Sequence, residues 1–323
     1  MHSNGFNEYV EDVLHRFENE VENLEDLLKI KSFSPKIYPL IKSSLLQGKK
    51  LRAILGVLSY QAVGGEIEKA IHLAVAIELA HNASLIHDDI VDNDEMRRGN
   101  AALYKKIGVG NAVVLGDAMI LLSINIASNQ SVEVVKLVSK YGFEICDGEF
   151  IDASIDFNNI ENFSEGNYFL KIYKKSAALF KSSAYVAAFA AGGSSKENDA
   201  LSSFGENIGI IYQIKDDIAE LMEIKKDNYS SDLKNGIATL PIIHFYKNSN
   251  SSEKEFLTKI FGKEHSIEDS EKLLNAIENK GSIKYCKEKI KEREILARNS
   301  LKDLKDNEFK KLLYNYLDYI LKL

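Results

Sequence analysis

The chain has 323 residues, of which 45% are hydrophobic, and it carries a formal net charge of -7 at neutral pH. This length and apolar content are enough for a large buried core. The acidic balance excludes a protein whose main partner is nucleic acid, because no dominant positive field is present to attract phosphate backbones.

Cysteine usage and apolar stretches predict a cytoplasmic protein without a membrane span. Cys146 and Cys286 are too few and too widely spaced for a disulfide framework or a zinc site, so we expect free thiols in a reducing compartment. The first thirty residues contain no basic segment followed by an apolar run, so we expect no signal peptide. Asp117 and Lys181 interrupt the most apolar later stretches, which fall short of the roughly 20 residues that a span needs.

Apolar residues at helical spacing, together with only 3 prolines, predict an all-α fold of long helices. The first two predicted helices cover 6–30 and 38–63, with a break at Ser34-Pro35 and glycines ending the second. The third covers 67–94 and is apolar nearly all round, as expected of a helix buried on most sides. Loop residues Arg97 to Asn100 follow it.

Helices are predicted next over 112–127 and 132–153, and a polar stretch from Asp156 to Asn162 follows them. Ser164 is the expected N-cap of a helix running to 191, and another helix covers 200–223. Lys225 to Gly236 is predicted to be a loop and a candidate lid. A capping-box pattern, Ser252-x-x-Glu255, opens a C-terminal region of solvated amphipathic helices to which we assign no chemistry. We expect residues 1–323 to form a single all-helical domain around a deep central cavity.

Two acidic clusters dominate the chemistry of the sequence. Asp88-Asp89-Ile90-Val91-Asp92 ends the third predicted helix, and Asp216-Asp217-Ile218-Ala219-Glu220 lies near the end of helix 200–223. At about 3.6 residues per turn, each cluster aims its first and last carboxylates in one direction. Because neighbouring carboxylates repel each other, such clusters in apolar helices predict a bound cation, and all-oxygen ligands suit Mg²⁺ best, with Mn²⁺ a possible substitute.

Cationic residues around the clusters predict a phosphate or diphosphate substrate. Lys49 and Arg52 are three residues apart, which predicts that they share one helix face, and Gly48 allows close approach of the backbone. Arg97-Arg98 follows the first cluster, and the planar fork of arginine suits phosphate oxygens. Lys174-Lys175-Ser176 supplies cations and a hydroxyl between the two clusters.

These motifs, in this order, resemble the trans-polyprenyl diphosphate synthases, which include the farnesyl and geranylgeranyl diphosphate synthases. The resemblance extends from about Gln47 to Pro241 and rests on Gly-Lys-x-x-Arg, Asp-Asp-x-x-Asp, Arg-Arg-Gly, Lys-Ser and a second Asp-Asp after Gln213. It implies an all-helical homodimer that joins isopentenyl diphosphate head-to-tail to an allylic diphosphate. Mg²⁺ ions would help the allylic diphosphate to leave, an example of Lewis-acid stabilisation.

The resemblance also implies roles for individual residues. Asp88, Asp92 and Asp216 would bind Mg²⁺, supported by Asp89, Asp217 and Glu220. The allylic end would be held or shielded by Arg97, Lys175, Ser176 and Gln213. Isopentenyl diphosphate would be held by Lys49, Arg52, His81 and Arg98. His81 alone would be a common core histidine, but it lies seven residues before Asp88 on the same face.

Three residues depart from the pattern of the family. Ile237 replaces a lysine expected on the allylic diphosphate, Glu220 replaces the last Asp of the second cluster, and Ser176 replaces a Thr. Ile237 and Glu220 motivate one alternative, a non-catalytic subunit of a heteromeric synthase. Another alternative is a terpene cyclase or a head-to-head condensing enzyme, which would lack the sites for isopentenyl diphosphate. Glu78-x-x-His81 matches the di-iron bundle pattern, but no second Glu-x-x-His accompanies it.

Small residues before Asp88 predict the length of the product. If the cavity follows the helix back from Asp88, then Ser84, Ala83 and Ala80 line it, with Ile77 one turn deeper. In the family, large aromatic residues at the level one turn before the first aspartate stop the product near fifteen carbons. Since small residues leave that level open, we expect a product of about twenty carbons or more, with its floor at Ile77 or at a residue between Met119 and Ile126. On this hypothesis Ala83→Phe shortens the product.

Overall fold

The computed structural model describes residues 3–28, 35–154, 164–224 and 230–323, and within these ranges the fold is all-α. Beside the helices, only a two-stranded hairpin, β1 (Met96–Arg97) and β2 (Asn100–Ala101), is present in the described ranges. The predicted fold class is therefore confirmed. The helices of the first half are α1 (Ser3–Glu22), α2 (Leu24–Leu28), α3 (Ile37–Leu46), α4 (Leu51–Ala62), α5 (Ile67–Val91), α6 (Leu103–Ile107), α7 (Val109–Ser128) and α8 (Val132–Ser154).

The second half of the described chain includes two irregular turns. A π turn (Tyr173–Ala177) joins α9 to α10, and a 3₁₀ turn (Leu301–Asp303) follows α16. The helices are α9 (Glu165–Ile172), α10 (Ala178–Ala190), α11 (Ser195–Met222), α12 (Ser231–Asn235), α13 (Leu240–Asn248), α14 (Ser251–Ile260), α15 (Ile267–Asn279), α16 (Ser282–Ser300) and α17 (Glu308–Lys322). The predicted break at Ser34 and the polar stretch Asp156 to Asn162 lie outside the described residues, as do the first five residues of the predicted lid.

The described chain divides into two compact units. Unit 1 contains Met1–Phe143, Leu179–Gly205 and Ser300–Tyr319, and unit 2 contains Glu144–Ala178, Glu206–Asn299 and Ile320–Leu323. The single domain expected from the sequence stays a prediction. The first acidic cluster belongs to unit 1, and the second belongs to unit 2.

Unit 1 is built around α5. This helix packs against α1, α3, α4 and α7, and its buried side chains point in all directions around the axis, as its apolar composition predicts. The core includes Phe17, Leu55 and Leu79, each with at most 1% of its surface exposed. Tyr316 on α17 donates a hydrogen bond of 2.9 Å to the carbonyl of Leu51, which ties the end of the chain to the start of α4.

The core of unit 2 contains side chains of the C-terminal helices, to which the sequence analysis assigned no chemistry. Phe245, Leu257 and Leu273 are fully buried, together with Tyr168 of α9 and Ile214 of α11. The amphipathic pattern of these helices therefore builds the support for the second acidic cluster.

Local geometry corrects three expectations from the sequence. The predicted helix 38–63 is broken, because Gly48 and Lys50 adopt left-handed backbone angles of φ +87° and +54° between α3 and α4. Arg97 to Asn100 forms the β hairpin, whose turn at Arg98 and Gly99 has positive φ at both positions, as type I′ turns require. The capping box of α14 is Asn250 with Glu253, two residues before the predicted pair, because Asn250 accepts the Glu253 amide hydrogen.

The apolar helix α7 also differs from expectation. By length and composition α7 could cross a membrane, in spite of Asp117 near its centre. The helix packs on α5, and Ala112, Leu115 and Met119 on one side of it are buried. Such a pattern is also found in core helices, which makes it weak evidence for a membrane span.

Candidate active site

The first acidic cluster lies where α5 ends. Asp88 is half-buried in the last turn, and Asp92 is exposed at the C-cap, where its amide donates to the Asp88 carbonyl at 2.8 Å. The two carboxylates therefore project from one side of the helix, one turn apart. Acidic groups at this end oppose the helix dipole, so the arrangement costs stability without a bound cation.

Asp89, between them, has a different environment. It is 3% exposed and accepts a hydrogen bond of 2.6 Å from the Nε of Arg97 on β1. Arg97 also pairs with Asp94 at 3.1 Å. Asp89 therefore holds Arg97 of the hairpin beside the cluster.

The donor set of the first cluster fits a hard divalent cation. Asp88 and Asp92 offer carboxylate oxygens on one face with solvent access. Within the described ranges, no group of three or more His, Cys, Asp or Glu side chains is placed to hold a metal ion alone. Mg²⁺ suits such a site, because it is usually bound by one or two carboxylates and completes its shell with water and substrate phosphate.

The Gly48 to Arg52 turn brings cations towards α5 within unit 1. A Cβ on Gly48 would lie 2.7 Å from the Arg98 guanidinium carbon, so glycine lets the two segments touch. The predicted shared helix face of Lys49 and Arg52 is wrong, because α4 begins only at Leu51. Lys49 instead lies exposed in the turn and lines a cavity of 240 Å³.

Lys50, which the sequence did not single out, is buried behind this turn. Only 7% of it is exposed, and its ammonium donates to the Gln47 carbonyl. Burial lowers the pKa of Lys50, an effect that the nearby carboxylate of Glu78 opposes. Glu78 is 3% exposed and accepts the Ala53 amide hydrogen at 3.4 Å, in the first turn of α4. Lys50 and Glu78 thus stabilise the turn from its buried side.

Arg52 and His81 meet in the same part of unit 1. Arg52 Nη1 lies 3.1 Å from His81 Nε2, and the guanidinium stacks over the Phe180 ring at 4.3 Å. Because arginine only donates, Nε2 must accept, which assigns the His81 proton to Nδ1. Burial and the neighbouring Arg52 hold the pKa of His81 well below its usual value, so the ring is neutral at pH 7. Its buried Nδ1 finds no partner among the described residues.

The second acidic cluster, in unit 2, contains an exposed and a buried aspartate. Asp216 is exposed on α11, whereas Asp217 is 5% exposed. Tyr168 donates to one Asp217 oxygen at 2.7 Å, and Gln213 donates to the other at 2.8 Å. Burial raises the pKa of Asp217 to about 6. Asp216 is thus the more accessible carboxylate, and Asp217 is held by Tyr168 and Gln213.

Glu220 contacts the described part of the predicted lid, at the first turn of α12. Its two oxygens accept hydrogen bonds from the Ser230 hydroxyl at 2.8 Å and from the Asp232 amide at 3.1 Å. Asp232 is a further carboxylate near this cluster that sequence reasoning did not select. Its pKa is raised by burial and by the charge of Glu220. Glu220 therefore holds the segment before α12 in place.

The π turn carries Lys174, Lys175 and Ser176. Ser176 donates to Gln213 Oε1 at 2.6 Å, so a chain of hydrogen bonds runs from the turn through Gln213 to Asp217. Lys175 pairs with Glu149 of α8 at 3.2 Å. Lys175, Ser176 and Gln213 therefore lie together. The family resemblance assigned all three to the allylic substrate. The π geometry itself had no recognisable signal in the sequence, although such turns occur often at functional sites.

The predicted product-length residues lie on two sides of α5. Ile77, Ala80 and Ser84 are partly exposed and form a stripe that leads to Asp88. Ala83 is fully buried and lies about 100° around the helix from Ser84. The stripe is therefore the accessible side of α5, and Ala83 lies off it.

Comparison with known proteins places this geometry in a family. Residues 34–277 match the family model described as polyprenyl synthetase. The chain belongs to this family. A geranylgeranyl diphosphate synthase of Methanosarcina mazei is 34% identical over 284 residues, which cover 85% of each chain. A geranylfarnesyl diphosphate synthase of the same organism is 35% identical over a match that covers 64% of this chain and 68% of that protein.

Solved structures agree with the assignment to the polyprenyl synthetase family. The crystal structure of geranylgeranyl pyrophosphate synthetase from Pyrococcus horikoshii has a TM-score of 0.85 and 30% identity, covering 97% of this chain and 99% of that one. The resemblance stated from the motifs is thereby confirmed, as is the expected fold of this polyprenyl synthetase family member. The chain is a prenyltransferase by family.

Proposed function

We propose that the protein elongates an allylic prenyl diphosphate with isopentenyl diphosphate, head-to-tail, and releases inorganic diphosphate. The single observation that carries the proposal is the gathering of Arg52, Arg98 and neutral His81 beside the acidic end of α5. Those groups would provide an anion site in addition to the first acidic cluster of unit 1. A terpene cyclase has one diphosphate to bind and would not need this second anion site.

We assign isopentenyl diphosphate to the groups of unit 1. Arg52 and Arg98 would contribute planar donors, Lys49 would contribute an exposed ammonium, and the His81 Nδ1–H would find an acceptor. Burial raises the pKa of Glu78, and the neighbouring cations Lys50, Arg52 and Arg98 oppose that rise. A neutral His81 adds a donor without adding to the repulsion between the cations.

We assign the allylic diphosphate to Arg97, Lys175, Ser176 and Gln213. Asp88, Asp92 and Asp216 would hold Mg²⁺, with Asp89, Asp217 and Glu220 orienting the surrounding groups; Mn²⁺ is a possible substitute. Bound Mg²⁺ would supply charge stabilisation for the leaving diphosphate. In the reaction the allylic carbon–oxygen bond breaks, a carbon–carbon bond to the isopentenyl alkene forms, and a proton is lost.

We propose a product of about twenty carbons or longer, geranylgeranyl diphosphate being the first candidate. Support comes from the accessible stripe of Ile77, Ala80 and Ser84, which contains no aromatic residue. Relatives named for geranylgeranyl and for geranylfarnesyl diphosphate agree with this range. Ala83 stays a predicted product-length residue, but its full burial favours Ser84 as the one nearer the growing chain.

We also propose that the protein acts as a homodimer through α7. The outer side of α7 exposes Val113, Val114, Ile120 and Leu121, of which Val114 and Leu121 are 61% and 66% exposed. An apolar patch of this kind commonly marks a protein interface. The alternative of a heteromeric non-catalytic subunit would use a similar surface, so activity must decide between the two. Location in the cytoplasm stays a prediction.

The proposal is tested by incubating purified protein and Mg²⁺ with an allylic diphosphate, with and without isopentenyl diphosphate. We expect prenyl products only when both substrates are present, and a loss of turnover after removal of the metal with a chelator. Products from the allylic diphosphate alone would favour a cyclase. Absence of product from every primer would favour a non-catalytic subunit.

A further inference from the structure

Glu149 of α8 faces the π turn in unit 2. Lys175 Nζ lies 3.2 Å from Glu149 Oε1, and the two side chains are 26% and 21% exposed. The preceding lysine makes a similar pair, in which Lys174 Nζ lies 2.5 Å from Asp147 Oδ2, but Asp147 is 48% exposed. Two consecutive lysines of one turn are therefore each paired with an acid of one helix.

Gly148, between the two acids, explains how α8 comes so close. A Cβ at this position would lie 2.5 Å from the Cβ of Lys174, so a side chain at 148 would push the two segments apart. A π turn widens the helix locally and changes the direction of its side chains. The glycine and the π turn together bring Lys175 and Glu149 within hydrogen-bonding distance.

The other side of the same turn is also fixed. Ser176 donates to Gln213 at 2.6 Å, and Gln213 donates to Asp217 at 2.8 Å. The Lys175 backbone thus belongs to a segment attached to the second acidic cluster. A long lysine side chain on such a segment would still have considerable rotamer freedom, which Glu149 restricts.

We propose that Glu149 is a positioning residue, which holds the Lys175 ammonium ready for the diphosphate of the allylic substrate. This inference rests on the proposed function, which assigns that diphosphate to Lys175. An ammonium group has three donors, so a bond to Glu149 is compatible with bonds to phosphate oxygens. Ordering the side chain in advance lowers the entropy lost on binding. The half-buried Glu149 does this better than Asp147, whose greater exposure weakens its ion pair.

The test compares Glu149→Gln with the matched variant Asp147→Asn. Each variant removes one negative charge from α8 and keeps the size of the side chain. We expect Glu149→Gln to raise KM for the allylic diphosphate about fivefold, with kcat and KM for isopentenyl diphosphate changed less than about twofold. Asp147→Asn should change none of the three beyond about twofold. Equal effects of the two variants, or a lower KM in Glu149→Gln, would overturn the inference.

A double-mutant cycle separates positioning from a merely structural role. In the Lys175→Ala background, Glu149→Gln should have no further effect on KM, because the group on which it acts is gone. The same rise in both backgrounds would mean that Glu149 acts by another route, and the proposal would fail. Matching thermal unfolding of the four proteins would show that the differences do not come from misfolding.

A binding measurement keeps the inference distinct from the proposed function. Calorimetric titration with Mg²⁺ and an allylic thiolodiphosphate, whose leaving group departs slowly, gives Kd for the same four proteins. If wild-type protein binds the analogue but turns over no substrate, the proposed function fails. The double-mutant cycle, measured as Kd for the analogue, still decides the role of Glu149 in that case. If wild-type protein does not bind the analogue, both proposals are overturned.

Discussion

At the scale of single residues, the two acidic clusters combine accessible carboxylates with buried ones. Asp88, Asp92 and Asp216 have solvent access, whereas both oxygens of Asp217 and of Glu220 accept hydrogen bonds from protein groups. A helical period of 3.6 was sufficient to predict which carboxylates share a direction. It could not predict the hydrogen-bond partners of Asp217 and Glu220, because Tyr168 and Ser230 come close to these carboxylates only in the folded chain.

The accessible carboxylates lead to a first prediction. Asp88→Asn should lower kcat by about 10² or more, because it removes a charged ligand that would stabilise the leaving diphosphate. Glu95→Gln is the control, since its exposed side chain pairs with Lys105 and has no assigned role. Steady-state kinetics over a range of Mg²⁺ concentrations measure both variants. Similar kcat values for Asp88→Asn and wild type would remove Asp88 from the metal site.

The buried Asp217 leads to a second prediction, in metal-free buffer. Its pKa is raised to about 6 in the folded protein, mainly by burial, from 3.8. A raised pKa means that this group favours folding most at low pH and that its contribution is lost as pH rises through about 6. Relative to Asp217→Asn, the wild-type free energy of unfolding should fall by about 3 kcal/mol at most between pH 4 and pH 7. Denaturant titrations check this; a difference independent of pH would contradict it.

At the scale of elements, most helices were predictable and the irregular turns were not. Apolar periodicity gave α5 and α11 to within a few residues, since both are long and strongly buried. The break at Gly48 and Lys50 depends on left-handed backbone angles, for which one glycine is a weak signal. The sequence predicted Ser252 with Glu255 as the capping box of α14, whereas the structure uses Asn250 with Glu253.

The stripe on α5 gives a prediction about product length. Ser84→Phe should shorten the main product, because the ring would fill the accessible side of the helix about 6 Å from Asp88. The matched variant Ala83→Phe places the same ring in a fully buried position, where overpacking should cost about 1–3 kcal/mol of stability. Chromatography of the products and thermal unfolding measure the two effects. An unchanged product in Ser84→Phe would mean that the growing chain does not follow this side of α5.

At the scale of the whole molecule, the exposed side of α7 predicts the state of association. Val114→Glu combined with Leu121→Glu should convert a homodimer into monomers, because two charges would be buried in an apolar interface. Ile295→Glu with Leu296→Glu adds the same charge to an exposed apolar pair on α16 and should leave the dimer intact. Sedimentation velocity measures both. Dimers in both variants would place the interface elsewhere.

The central claim is that this polyprenyl synthetase family member elongates a prenyl chain by whole isopentenyl units. The most direct test supplies isotopically labelled isopentenyl diphosphate and Mg²⁺ with allylic primers of several lengths, followed by chromatography of the products. We predict labelled products that differ by one isopentenyl unit and accumulate at about twenty carbons or more. Unlabelled primers recovered intact with every primer tested would contradict the claim.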